Sequence, residues 1–218
     1  MIDVRAKYNS FDFCITSYCQ ASCAGCERNV PEGPKVDWLV PEHMKLDVFE
    51  GILKTLPKDS KLHKIQFCGE LGDPLMHPQI SDFISKGNEY NPRMIVINTN
   101  AGLRTKKWFE SHAKISNLKI YFGIDGIDYQ TNSKYRRGVN FDKAYENMST
   151  YFSNGGRGQW HFILFNWNYK QIPDAVKMAK EINADIVFKI SKNEDTRQGM
   201  AEGDQLEEAK ELLQEYWK

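Results

Sequence analysis

No apolar run in these 218 residues approaches the roughly 20 needed to cross a bilayer. An excess of charge is lacking too. Lys and Arg total 29 against 29 Asp and Glu, which leaves no global electrostatic footprint for nucleic acid or an anionic membrane. The start MIDVRAKYNS has no apolar leader core. Cysteines number five, an odd count that does not divide into disulfides. The expectation is a soluble, cytoplasmic protein in a reducing compartment. Repeats, low-complexity tracts and linkers are also missing.

What is present is an alternation. Short apolar runs at 11–16, 64–68, 94–98, 118–124, 160–165 and 185–190 read as strands. Stretches with helical spacing at 41–56, 78–90, 105–113, 141–152, 172–182 and 205–217 follow them. A helix after each of six strands predicts an α/β fold with a parallel sheet. Six units are too few for a closed eight-stranded barrel. A doubly wound sheet and an open partial (β/α)6 TIM-like barrel both fit, and both place chemistry at the carboxyl ends of the strands.

Three cysteines stand in eight residues, Cys19-Gln20-Ala21-Ser22-Cys23-Ala24-Gly25-Cys26, with C-x3-C-x2-C spacing. Three thiolates this close can cap three irons of one cubane and leave the fourth iron open to a small molecule. Electron-transfer clusters use four cysteines. A structural zinc completed by a histidine is an alternative, although His43 and His63 have no finger-like spacing. Disulfides are another.

The spacing, at the end of an N-terminal strand, resembles the radical SAM superfamily, and the resemblance runs over roughly residues 11–192. It implies a [4Fe-4S] cluster on Cys19, Cys23 and Cys26 that binds S-adenosylmethionine (SAM) at its open iron. Reductive cleavage then gives a 5′-deoxyadenosyl radical. It favours the partial barrel and implies an external reductant of the flavodoxin or ferredoxin kind. Residues 1–218 are expected to form one core domain. No cysteine follows Cys68, so the auxiliary-cluster domain of peptide-modifying relatives is not expected.

Other strand ends extend the resemblance. Cys68-Gly69-Glu70-Leu71, followed by Leu75-Met76-His77-Pro78, resembles the G-G-E-P element and its L-x-H-P continuation, with Cys68 and Leu71 as departures. Family behaviour assigns Gly69 and Glu70 to the SAM ammonium, which wants carbonyls and a carboxylate. A plain Gly/Pro turn is the alternative reading. Asn98 and Asn100 belong to a segment similar to the T-N-G turn, and Asp125 to one similar to S-x-D-G, with Gly123 in place of serine. Tyr135-Arg136-Arg137-Gly138 is similar to a Y-R-x-G stretch. There Arg137, ahead of Arg136, is the expected partner of the SAM carboxylate. Gly25 stands where an adenine-contacting aromatic is common, and Asn166 is expected to reach the adenosyl group.

Cys68 shares strand parity with Gln66 and Glu70, facing the interior, where a thiol can donate a hydrogen atom to a substrate radical. Lys189 either enters the cavity to hold a substrate carboxylate or snorkels outward. Cys14, Trp160 and Trp167 are expected in packing roles, and the loop 28–38 as a cover for the cluster. The Tyr-Arg-Arg-Gly stretch leans towards a peptide or protein substrate, and a short open barrel also suits a small molecule. Two rivals remain: a non-catalytic zinc or iron–sulfur module, and a descendant that binds SAM without cleaving it.

Overall fold

The computed structural model describes residues 9–29, 36–56, 62–190 and 199–215. Most of the expected covering loop, 30–35, lies outside them, as do 191–198 of the polar segment after the sixth strand. The described residues form β1 (Ser10–Phe13), α1 (Leu46–Lys54), β2 (Lys64–Phe67), α2 (Ile80–Asn88), β3 (Met94–Thr99), α3 (Lys106–His112) and β4 (Leu118–Gly123). They continue with α4 (Tyr129–Tyr135), α5 (Phe141–Ser153), β5 (Arg157–Ile163), α6 (Ile172–Glu181), β6 (Ile186–Lys189) and α7 (Asp204–Gln214). The six strands pair in sequence order, every neighbour parallel. A doubly wound sheet reverses its strand order at a switch point. No reversal occurs here, so the open partial barrel is the architecture.

Strand sequence explains which face holds the core. β4, LKIYFG, alternates strictly, with Leu118, Ile120 and Phe122 buried and Lys119, Tyr121 and Gly123 half-buried. β2 does the same, burying Ile65 and Phe67 and leaving Lys64 and Gln66 partly open. Side chains alternate faces with period two. The apolar set therefore meets the helices, and the polar set is left for the concave face. On the helix side, rings interlock: Phe49 lies 4.9 Å from Phe13 and 5.1 Å from Phe83 between centroids. Phe122 lies 5.6 Å from Tyr151 and 5.4 Å from Phe152.

Two elements differ from the sequence expectation. The first helix starts at Leu46, not 41, because residues 42–44 run alongside the cysteine-bearing segment: Ser17 N–H donates to Glu42 O and Met44 N–H to Ile15 O. The helix α4 was not foreseen. Its one legible signal is Asp128, whose carboxylate caps it by accepting from Thr131 N–H at 2.7 Å. Asn140 caps α5, accepting from Lys143 N–H at 3.0 Å.

Truncating Phe122 to alanine removes a fully buried ring from this interlock. It should cost about 3–5 kcal/mol, read as a lower urea midpoint with unchanged slope.

Candidate functional site

The concave face encloses a cavity of about 840 Å³ at the carboxyl ends of the strands. Cys19, Cys23 and Cys26 line one side of it; Cys68, Asn98, Asn100, Tyr121, Gly123 and His161 line others.

Main-chain bonds fix the cysteine loop. Ser22 N–H donates to Arg137 O at 2.8 Å and Ala24 N–H to Tyr135 O at 3.1 Å, so the end of α4 holds it. Asp73 N–H donates to Tyr18 O at 2.9 Å. Gly72 packs so close to the carbonyls of Thr16 and Tyr18 that no side chain fits there. Gly25 takes φ +72° between the last two cysteines, the left-handed region that suits glycine.

The asparagine and aspartate positions split into two roles. Asp73 is buried and accepts from Thr99 Oγ1 at 2.8 Å, Asn100 N–H at 2.8 Å and Leu75 N–H at 2.9 Å. It ties the β2 loop to the end of β3. Burial pushes its carboxyl above the ordinary value, and these donors oppose the shift. Asn100 Oδ1 accepts from Gln20 Nε2 at 2.5 Å, and its Nδ2 points at Cys19 Sγ from 3.7 Å. Asn98 lies on the cavity wall.

Asp125 is fully buried behind the wall. Its Oδ2 accepts from Arg136 Nε at 2.6 Å and its Oδ1 from Ile163 N–H at 2.6 Å. Arg136 then reaches Cys23 Sγ with Nη1 at 3.9 Å. Burial alone would lower the Arg136 pKa, but Asp125 and then Cys23 hold it above its ordinary value. Gly123 makes this possible, since a Cβ there would lie 2.7 Å from the guanidinium. The serine expected at that position is replaced, in space, by an arginine.

The structure thus corrects the arginine choice: Arg137 is exposed, and Arg136 lines the cavity. Asn166 is exposed as well, its N–H donating to Gly199 O at 2.7 Å, and it is not on the cavity wall. The turn after β5 carries it outward, while Asn168 turns inward to bond Asp125 O and Ile163 O, both at 2.9 Å. Gly69, Glu70 and Cys68 do line the cavity. So does Lys189, whose Nζ donates to His161 Nδ1 at 2.9 Å. Burial, then Lys189 and Arg136, push His161 down to about 4. It is therefore neutral at pH 7. Trp160 is buried and donates to Ile124 O, a packing role. Cys14 is exposed, not in the core; its sulfur is 3.2 Å from Cys68 Sγ.

Do these residues fit an iron–sulfur cluster? Burial first, then Asp73, pushes the Cys19 thiol up to about 11, and burial raises Cys23. Thiols in such a place become thiolates when metal and positive charge compensate them. That positive charge is present. Arg28, two residues after Cys26, is 1% exposed, and its Nε, Nη1 and Nη2 have no hydrogen-bond partner among the described residues. A buried guanidinium with no partner is costly, and it lines the same cavity. An anionic group at the thiols removes that cost. Geometry also separates a cluster from a lone ion. A tetrahedral zinc holds its sulfurs about 3.8 Å apart, yet Cys19, Cys23 and Cys26 are not among the trios of ligand atoms within 4.8 Å. Ligands spread over several irons need no such closeness. The residues fit.

Sequence reasoning missed Arg28, Asp73 and His161 as contributors and ranked Arg136 behind Arg137. Asp73-Pro74 carried a turn signal; for Arg28 and His161 nothing local distinguished them from surface residues.

A parallel half-barrel with thiols, amides and guanidinia gathered at its strand ends defines a cofactor-dependent α/β barrel enzyme. The chain belongs to the radical SAM superfamily, whose model matches residues 13–183 and whose cofactors are a [4Fe-4S] cluster and SAM. No curated protein matches it. Among solved structures it is similar to Streptococcus suis SuiB bound to S-adenosylmethionine, with TM-score 0.73 and 18% identity over 95% of this chain and 47% of that one. SuiB bound to the precursor peptide SuiA gives TM-score 0.69 and 19% identity over 95% and 46%. The structure of anSMEcpe with AdoMet and a Cp18Cys peptide gives TM-score 0.62 and 16% identity over 82% and 49%. The chain spans about half the length of these proteins.

Replacing Arg28 by glutamine should leave the fold intact and shift the cluster's midpoint potential to more negative values. Removing a nearby positive charge disfavours the added electron, by on the order of tens of millivolts. A redox titration followed by electron paramagnetic resonance reads the shift.

Proposed function

We propose that this protein is a radical SAM enzyme that cleaves SAM reductively and abstracts a hydrogen atom from a substrate held at the mouth of the half-barrel. The observation that carries the reading is the unpartnered Arg28 guanidinium buried beside the three cysteines. Reduced cluster and SAM together supply a 5′-deoxyadenosyl radical, and the chain's residues do the rest. Cys19, Cys23 and Cys26 hold the cluster; Arg28 and Arg136 balance its charge and Asn100 donates towards Cys19. Gly69 and Glu70 suit the SAM ammonium. Arg136, kept charged by Asp125, suits the SAM carboxylate. Asn98 offers a further hydrogen bond on the same wall. Cys68, which lines the cavity, suits the return of a hydrogen atom to a substrate radical. A one-electron donor of the flavodoxin or ferredoxin kind is needed.

A peptide is the favoured substrate. Support comes from the Tyr135-Arg136-Arg137-Gly138 stretch and from likeness to SuiB and anSMEcpe, both solved with peptides. BtrN, solved with AdoMet and 2-DOIA at TM-score 0.51 and 16% identity over 71% of this chain and 56% of that one, keeps a small molecule as the second reading. In either case Lys189 suits a substrate carboxylate: a neutral His161 holds its ammonium without cancelling its charge.

Reconstituted protein reduced with dithionite and given SAM should release 5′-deoxyadenosine, detected by mass spectrometry. Alanine at Cys19, Cys23 or Cys26 should abolish both the product and the full iron complement. A complete cluster in Cys23→Ala would overturn the assignment. Once a substrate is in hand, Lys189→Met should raise KM roughly tenfold to a hundredfold with kcat little changed, as expected for a lost charge contact of about 1.5–3 kcal/mol.

A further inference from the structure

Cys14 and Cys68 have no part in holding the cluster, yet their sulfurs meet beside the cavity that Cys68 lines. They follow directly after the last paired residues of neighbouring parallel strands, Phe13 and Phe67. The ladder continues one step further, with Cys68 N–H donating to Phe13 O at 3.1 Å. Paired strands lie about 4.8 Å apart, inside the Cα range a disulfide spans. Both side chains leave the sheet on the same face, and their sulfurs stand 3.2 Å apart. Cys68 is buried on the cavity wall, whereas Cys14 is exposed. The Cys14 thiol donates to Glu70 Oε2 at 3.6 Å.

We propose that Cys14 and Cys68 form a dithiol–disulfide couple on the rim of the cavity, with a low-molecular-weight disulfide such as oxidised glutathione as oxidant. The exposed Cys14 thiolate attacks the oxidant, forming a mixed disulfide and releasing one thiolate. Cys68 then attacks the Cys14 sulfur, closing the internal bond and releasing the second. Two protein thiols and one external disulfide become one protein disulfide and two external thiols, and two electrons pass to the oxidant. Closure takes the Cys68 S–H away from the cavity wall, so the couple sets whether that hydrogen atom is available. Burial, then the Cys68 thiol and Glu70, push Cys14 up to about 12. Cys14 is therefore held as the neutral thiol at neutral pH, and its thiolate fraction rises tenfold with each pH unit.

The same trio with Glu70 lies within 4.8 Å and is the arrangement among the described residues that a single soft cation could use. The sulfurs are nearer to each other than the roughly 3.8 Å of zinc-bound thiolates, which favours the couple.

The experiment takes cluster-loaded protein, anaerobic, with oxidised glutathione in excess. Cleavage by chymotrypsin after Phe13, Tyr18, Phe67 and Leu71 isolates Cys14 from Cys19 and Cys68 from the rest. The expected result is a 14–18 peptide joined to a 68–71 peptide. It should form about tenfold faster per pH unit between 7 and 9 and be reversed by dithiothreitol. In Cys68→Ser, Cys14 should instead carry a stable glutathione adduct, which shows that the fold and the exposed thiol survive. A persistent glutathione adduct on Cys14 of the unaltered protein, or no reaction while Cys68→Ser reacts, overturns the proposal. So does stoichiometric zinc that blocks both thiols until chelated. None of these readouts needs SAM cleavage, so this proposal and the proposed function fail separately.

Discussion

Three thiols on one cavity, Cys23 buried and Cys19 and Cys26 half-buried, call for compensating positive charge, and the rest of the site is organised around that need. Arg28 comes from the cysteine loop itself, and Arg136 from the end of α4. The Asp125 carboxylate aims Arg136, and Asp125 is in turn held by the β5 main chain at Ile163 N–H. Burying a charge without a partner is expensive. Arg136 and Asp125 therefore fix one another, and their contacts run from Cys23 to Ile163 of β5. The fold tolerates an unpartnered Arg28 because the cavity beside it is where an anionic group belongs.

That cavity exists because the strands alternate. In most parallel sheets both faces are apolar and covered by helices. Here β2 and β4 bury one face only, and β3 carries Asn98 and Asn100 at its end. The concave side is left to polar groups and space. Sequential pairing of six strands leaves the barrel open, so substrate can reach Lys189 and His161 on the wall formed by β5 and β6. Cys14, just past the end of edge strand β1, is exposed.

The relation between α4 and the cysteine loop shows how local and distant forces combine. A seven-residue helix has little stability of its own. It forms because Asp128 caps it and because the carbonyls of Tyr135, its last residue, and of Arg137 just beyond accept from Ala24 and Ser22 N–H. Its propensity signal was correspondingly weak, and reading the sequence alone passed over it. The position of Arg136 depends on that helix end, which the sequence pattern did not show, and the neighbouring Arg137, preferred from sequence, is exposed in the fold.

By itself the sequence determined the six strand–helix units, the parallel sheet and the cysteine triad, because period-two and period-3.6 patterns and thiol spacing are local properties. Part of the cavity wall was also legible, since strand parity puts Cys68 on the same face as Gln66 and Glu70, whereas the direction of Lys189 was left open. Only tertiary structure decided which arginine meets the thiols, that Asn168 and not Asn166 turns inward, that Arg28 is buried without a partner, and that Cys14 sits against Cys68. Each of these depends on the approach of segments distant in the chain, and no periodicity within a segment records where another segment will lie.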